Sequence, residues 1–60
     1  MVYEKVSEIA KKQNISISEL ERRAGLSKAT ISKWKTSSPK ADNLKSVATV
    51  LKVKVDKLLE

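Results

Sequence analysis

The only glycine of the chain, Gly25, stands where one apolar helical stripe stops and another begins. Upstream of it, Ile17, Leu20 and Ala24 fall at i, i+3 and i+7, the spacing of one buried face on a short helix. Ser16, followed three residues later by Glu19, forms a capping-box pattern in which hydroxyl and carboxylate both satisfy orphan amides at a helix start. A helix end commonly needs a residue in the left-handed region, which glycine reaches without Cβ strain. Past the glycine come Leu26 and Ser27, the latter a second N-cap candidate, and from Lys28 a helical pattern restarts. Ile31 and Trp34, three apart, lie on its inner face. The plainest structural outcome is two capped helices joined by a tight turn, which an ordinary helical hairpin in a small bundle would also satisfy.

The flanks predict the rest of an all-α core. Val2, Val6, Ile9, Ala10 and Gln13 put a stripe on a first helix that Asn14 ends as a left-handed cap. Thr36, Ser37, Ser38 and Pro39 form the one clear loop. Leu44, Val47, Ala48 and Leu51 then repeat at helical spacing. After a break at Lys52 to Lys54, Val55, Leu58 and Leu59 fit a terminal helical turn that closes the bundle. Val53 to Val55 have β-branched character, but a lone strand has nowhere to send its backbone hydrogen bonds. The expectation is a compact bundle of five short helices in a single domain, residues 1–60.

Charge narrows the function. The chain has 13 Lys+Arg against 7 Asp+Glu, a net +6. Residues 22–45 hold Arg22, Arg23, Lys28, Lys33, Lys35, Lys40 and Lys45 against Asp42 alone, seven minus one, so this window carries the whole surplus. A field of that sign beside a helical turn motif favours a polyanion, and double-stranded DNA in particular. The chain has no cysteine and no histidine, so disulfides, thiolate or imidazole zinc sites and histidine-based catalysis are excluded. Neither Ser27-Lys28 nor Ser32-Lys33 makes a nucleophile-base pair, because adjacent residues point different ways on a helix. No enzymatic activity, cofactor or metal is expected. Nor is there an apolar run of the ~20 residues that cross a bilayer, and a soluble, cytoplasmic protein is expected.

The ordered set of motifs resembles the Cro/C1-type (XRE) helix-turn-helix family of phage and bacterial regulators, which share the lambda-repressor-like DNA-binding domain. The resemblance covers nearly all sixty residues. It runs through Ile15-Ser16, Leu20, Gly25-Leu26-Ser27, Thr30-Ile31-Ser32, Trp34 and Pro39, then Leu44, Ala48, Leu51, Val53, Val55, Asp56, Leu58 and Leu59. Four places depart from the family pattern. Glu21 stands where a small alanine is usual, and is expected to lean outward to Arg22 or Lys28 or to tilt the two helices. Ala10 and Lys35 replace an arginine–glutamate pair that many members bury; losing both leaves no stranded charge. Thr36-Ser37 replaces Asn-Gly, and Lys52 puts a Cβ where a left-handed glycine is usual.

The resemblance implies a sequence-specific transcriptional regulator of the repressor type, inserting a helix from Lys28 to about Lys35 into the major groove of an operator. On this pattern Lys28, Ala29, Ser32 and Lys33 face the bases. Ser16, Ile17, Ser27, Ser37, Ser38 and Lys40 lie on the phosphate side. Capping remains the first role of Ser16 and Ser27, and either lysine can serve a phosphate instead of a base. Trp34 is assigned to the core rather than to base stacking, and Tyr3 to a half-buried position beside the Val2–Val6 stripe. A weak or DNA-induced homodimer on a two-fold site is the expected assembly, in a prokaryotic cell or phage-infected host. The rival expectation is a small protein-binding modulator, an antirepressor or antitoxin, pairing with a larger repressor through Val53, Val55, Leu58 and Leu59 or through the groove-facing surface.

Overall fold

The computed structural model describes residues 2–59. It contains α1 (Val2–Lys12), α2 (Ile17–Arg23), a 3-10 helix (Ser32–Lys35), α3 (Ala41–Leu51) and α4 (Val55–Leu59). Four α-helices and one 3-10 helix thus fill the five helical places expected, and no strand forms among the described residues. None of these helices is long and apolar enough to cross a membrane.

The first three α-helices end in the same way. Asn14, Gly25 and Lys52 adopt φ of 60°, 73° and 61°. In each case the next residue's N–H reaches back five residues: Ile15 to Ala10 C=O at 2.9 Å, Leu26 to Glu21 C=O at 2.8 Å, Val53 to Ala48 C=O at 3.0 Å. The left-handed residue's own N–H reaches back three, to Lys11, Arg22 and Thr49. This paired pattern satisfies carbonyls that a helix end leaves orphaned, and it turns the chain sharply back on itself. The apolar residues that follow, Ile15, Leu26 and Val53, pack against the core edge. Only one of the three turns uses glycine, so a tolerated left-handed Asn or Lys serves the same geometry at greater local strain.

The core is drawn from every helix. Val6 and Ala10 of α1, Leu20 of α2, Leu44, Val47, Ala48 and Leu51 of α3, and Leu58 of α4 are buried with Ile31 and Trp34. Trp34 is 4% exposed, so it belongs to the interior as its spacing predicted, and Tyr3 is half-buried against the same cluster. Two expectations fail at the edges. Leu59 is 59% exposed and takes no part in closing the bundle: in a five-residue helix only one face meets the core, and Leu58 occupies it. Gln13 lies beyond α1 and is exposed; it contributes no apolar surface, but its Nε2 donates to the Leu51 carbonyl at 2.8 Å. That bond ties the end of α1 to the end of α3 and satisfies one of the last carbonyls of α3.

α1 packs against α2, the 3-10 helix and α4, and α3 packs against α2 and α4. The segment between α2 and α3 is therefore held on its inner side by Ile31 and Trp34, with Ala24 and Leu26 against the core edge, while its lysines and serines stay outward.

Candidate nucleic-acid interface

The start of α2 is built as the sequence implies, but only by half of the capping box. Ser16 is extended (φ −74°, ψ 159°) and its Oγ accepts the Glu19 N–H at 3.0 Å. The Glu19 carboxylate does not reciprocate. It accepts from Arg22 Nη2 and from Arg23 Nε, the latter at 2.8 Å, one turn along the same helix. The hydrogen bonds from Arg22 and then Arg23 pull the Glu19 carboxyl down to about 2, and the same contact raises Arg22 further. Two guanidinium donors outcompete a single backbone amide for one carboxylate, because each bond carries a full charge on both sides.

That pairing changes the local field. Counted over 19–45, the seven basic residues face Glu19, Glu21 and Asp42, leaving +4 where the shorter window left +6. Arg22 and Arg23 are engaged with Glu19. Lys35 lies with its Nζ 5.0 Å from the centroid of the Tyr3 ring on α1, a cation–π contact that pins the 3-10 helix to α1. Ala10, on the same helix, is buried in the core. Lys28, Lys33 and Lys40, all exposed, are left as the outward cations of the segment that joins α2 to α3.

The segment itself departs from the expected helix. Lys28 to Ile31 form turns, and Ser32–Lys35 is a 3-10 helix, so no α-helix runs from Lys28 to Lys35. Lys33 N–H reaches back four residues to Ala29 C=O at 3.2 Å. Thr30, Trp34 and Thr36 reach back only three, to Ser27, Ile31 and Lys33. Ala29 sits at φ +68°, in the left-handed region an alanine rarely enters.

The cause is Glu21. Of the two expectations for it, the outward one fails: it pairs with neither Arg22 nor Lys28 and is 5% exposed. Its Oε1 accepts the Ala29 N–H at 3.2 Å and its Oε2 the Ile31 N–H at 2.8 Å. The Ser27 hydroxyl makes no cap. A carboxylate reaching across from α2 takes the role that a local serine was expected to take, since a charged acceptor binds amides more strongly than a hydroxyl does.

Around these elements the expected site residues are distributed as follows. Lys28, Ala29, Ser32 and Lys33 are all exposed, on the turn and the 3-10 helix. Ser27, Ser37, Ser38 and Lys40 are exposed on the flanking loops. Ser16 is exposed and Ile17 half-buried. They share an open hollow of about 360 Å³ with Ser7, Lys11, Asn14 and Ile15, so α1 contributes a serine and a lysine to this side. Lys28 lines a second hollow with Ser18, Glu21, Arg22 and Leu26. Sequence spacing could not find Ser7 and Lys11, because they approach Ser16 only after the Asn14 turn folds α1 back.

A family model described as Helix-turn-helix matches residues 6–58. The chain belongs to the helix-turn-helix family. The match takes in all of α2, the turn and the 3-10 helix, and it agrees with the Cro/C1-type motifs from Ile15 to Leu58. As a member of this family, the chain is a DNA-binding helix-turn-helix regulator. No curated protein and no solved structure matches it.

Proposed function

We propose that this helix-turn-helix protein is a sequence-specific transcriptional regulator of the repressor type. Two copies would sit on a two-fold operator with half-sites about one helical turn apart. The segment 28–35 enters the major groove, with Lys28, Ala29, Ser32 and Lys33 towards the bases. Ser16, Ile17, Ser27, Ser37, Ser38 and Lys40 flank them on the phosphate side. The observation that carries this reading is the run of exposed cations and small polar residues, from Ser27 to Lys40, directly after α2 and its glycine turn. Long donors at Lys28 and Lys33 can reach guanine O6 and N7, and the Ala29 methyl can meet a thymine methyl.

Because the reading segment is a turn followed by a 3-10 helix, Lys28 and Lys33 are not fixed on one α-helical face. Direct readout then rests on few contacts, and much of the affinity comes from phosphates and is salt-sensitive. Selection from a random duplex library, with the winners bound across a salt series, tests the reading. A recovered two-fold motif bound far more tightly than scrambled duplex supports it. Weak binding without a motif, lost near physiological salt, counts against it.

A second reading is favoured by one observation. Leu59, at the end of α4, is 59% exposed, and Val55 at its start and Val53 just before it are half-buried, so apolar surface remains around this helix. Such a surface suits pairing with a larger repressor, as an antirepressor or antitoxin would, or with a second copy of this chain. A salt-tolerant protein complex lost on Leu59→Glu substitution would give this reading the lead.

A further inference from the structure

Glu21 is the only charged or polar side chain buried among the described residues. A buried carboxylate is tolerated only with hydrogen-bond donors around it. Its donors here are two backbone amides of the following segment, those of Ala29 and Ile31, and among the described residues no lysine or arginine pairs with it. Were residues 28–35 a continuous α-helix, the Ile31 N–H would bond to the Ser27 carbonyl, four residues back. Glu21 would then lose its shorter bond while still buried. The buried charge and a regular helix are therefore in competition for the same amide, and in this structure the charge has it. The left-handed φ of Ala29 lies in the segment that Glu21 holds.

We propose that Glu21 is the positioning residue of the DNA-reading segment. Its carboxylate keeps residues 28–31 out of regular helix, and the protein reads its duplex in that conformation. The inference rests on the DNA-binding reading above and adds to it the residue that sets the geometry of the reading surface. Glu21 itself touches no base; it acts through the backbone that carries Lys28, Ala29 and Ser32.

Two consequences separate positioning from a merely stabilising role. A variant that is only less stable binds every duplex in proportion to its folded fraction, so the ratio of operator to scrambled affinity does not change. A variant whose reading segment has moved loses base contacts, which carry sequence preference, and keeps phosphate contacts, which do not. The ratio then falls. In addition, the Ala29 and Ile31 amides must stay bonded when the operator is bound.

The experiment compares the full chain with its Glu21→Gln variant. Glutamine is nearly the same shape, but its amide nitrogen is a donor and meets one of the two N–H groups head-on. Both proteins are titrated with the duplex selected by the parent and with its scrambled version, at a temperature where far-UV circular dichroism shows each folded. The expected result is a loss of about tenfold or more on the operator, from the loss of a charge-assisted bond, with the scrambled duplex nearly unchanged. Equal loss on both duplexes, or an unchanged ratio, overturns the proposal. Amide hydrogen exchange on the parent, free and operator-bound, decides the matter should Glu21→Gln not fold. Protection at Ala29 and Ile31 in both states supports the proposal, and opening of either amide in the complex overturns it. If the parent shows no preference among duplexes, the DNA-reading function fails and this proposal falls with it. That outcome is recognised before any variant is made.

Discussion

Replacing Lys52 by glycine is expected to stabilise this protein, although it deletes a side chain. Lys52 ends α3 at φ 61° and ψ 39°. The bonds that make this turn, from Lys52 N–H to Thr49 C=O at 3.2 Å and from Val53 N–H to Ala48 C=O at 3.0 Å, are backbone bonds that glycine keeps. The lysine side chain is exposed and makes no hydrogen bond or ion pair among the described residues. A residue with a Cβ costs roughly 1–2 kcal/mol in the left-handed region, and glycine's extra freedom in the unfolded chain returns about 0.4–1 kcal/mol of that. The net gain is about 0.5–1 kcal/mol, which raises the melting temperature of so small a domain by roughly 2–8 °C. Gly25→Ala supplies the mirror experiment. At φ 73° a Cβ built on Gly25 meets nothing within 4 Å, so the loss there is of backbone origin alone and similar in size. Thermal and urea unfolding followed by circular dichroism measure both. A Lys52→Gly protein melting at or below the parent would falsify the view that the three helix ends are governed by backbone strain.

Trp34→Ala, at a site 4% exposed, is expected to cost about 3–5 kcal/mol. Since a domain of this length has roughly 3–9 kcal/mol in all, the variant should be largely unfolded at 37 °C; a cooperative melt near that of the parent would show the indole is dispensable to the core. Glu19, held at about 2 by Arg22 and Arg23, stays ionised when folded well below its unfolded value of 4.5. Its contribution is therefore complete above the unfolded value and fades as pH falls towards 2; an NMR titration of the Glu19 carboxyl with a midpoint near 4.5 would show that the arginine contacts do not persist in solution. Lys33→Ala is expected to weaken operator binding and, if the lysine reads a base, to relax preference at one position by roughly 1–3 kcal/mol. A uniform loss across sequences with a shallower salt slope would assign Lys33 to a phosphate instead.

What the sequence determined by itself was everything carried by local rules. The helix ends at Asn14, Gly25 and Lys52, the Ser16 cap and the apolar stripes with Trp34 inside all follow from residues within one or two turns of each other. The same is true of the family motifs and of the position of the basic window. The tertiary structure decided what depended on competition between distant partners. Glu19 had a backbone amide and two arginines within reach, and the arginines took it. The Ala29 and Ile31 amides had Ser27 and nearby carbonyls as local partners, and a carboxylate eight and ten residues away took both. Leu58 and Leu59 had equal claims on the core until a five-residue helix presented one face to it. Spacing along a chain specifies which residues can share a helix face. It does not specify which of several acceptors, brought together only by folding, binds a given donor, and on that choice rests the shape of the segment proposed to meet DNA.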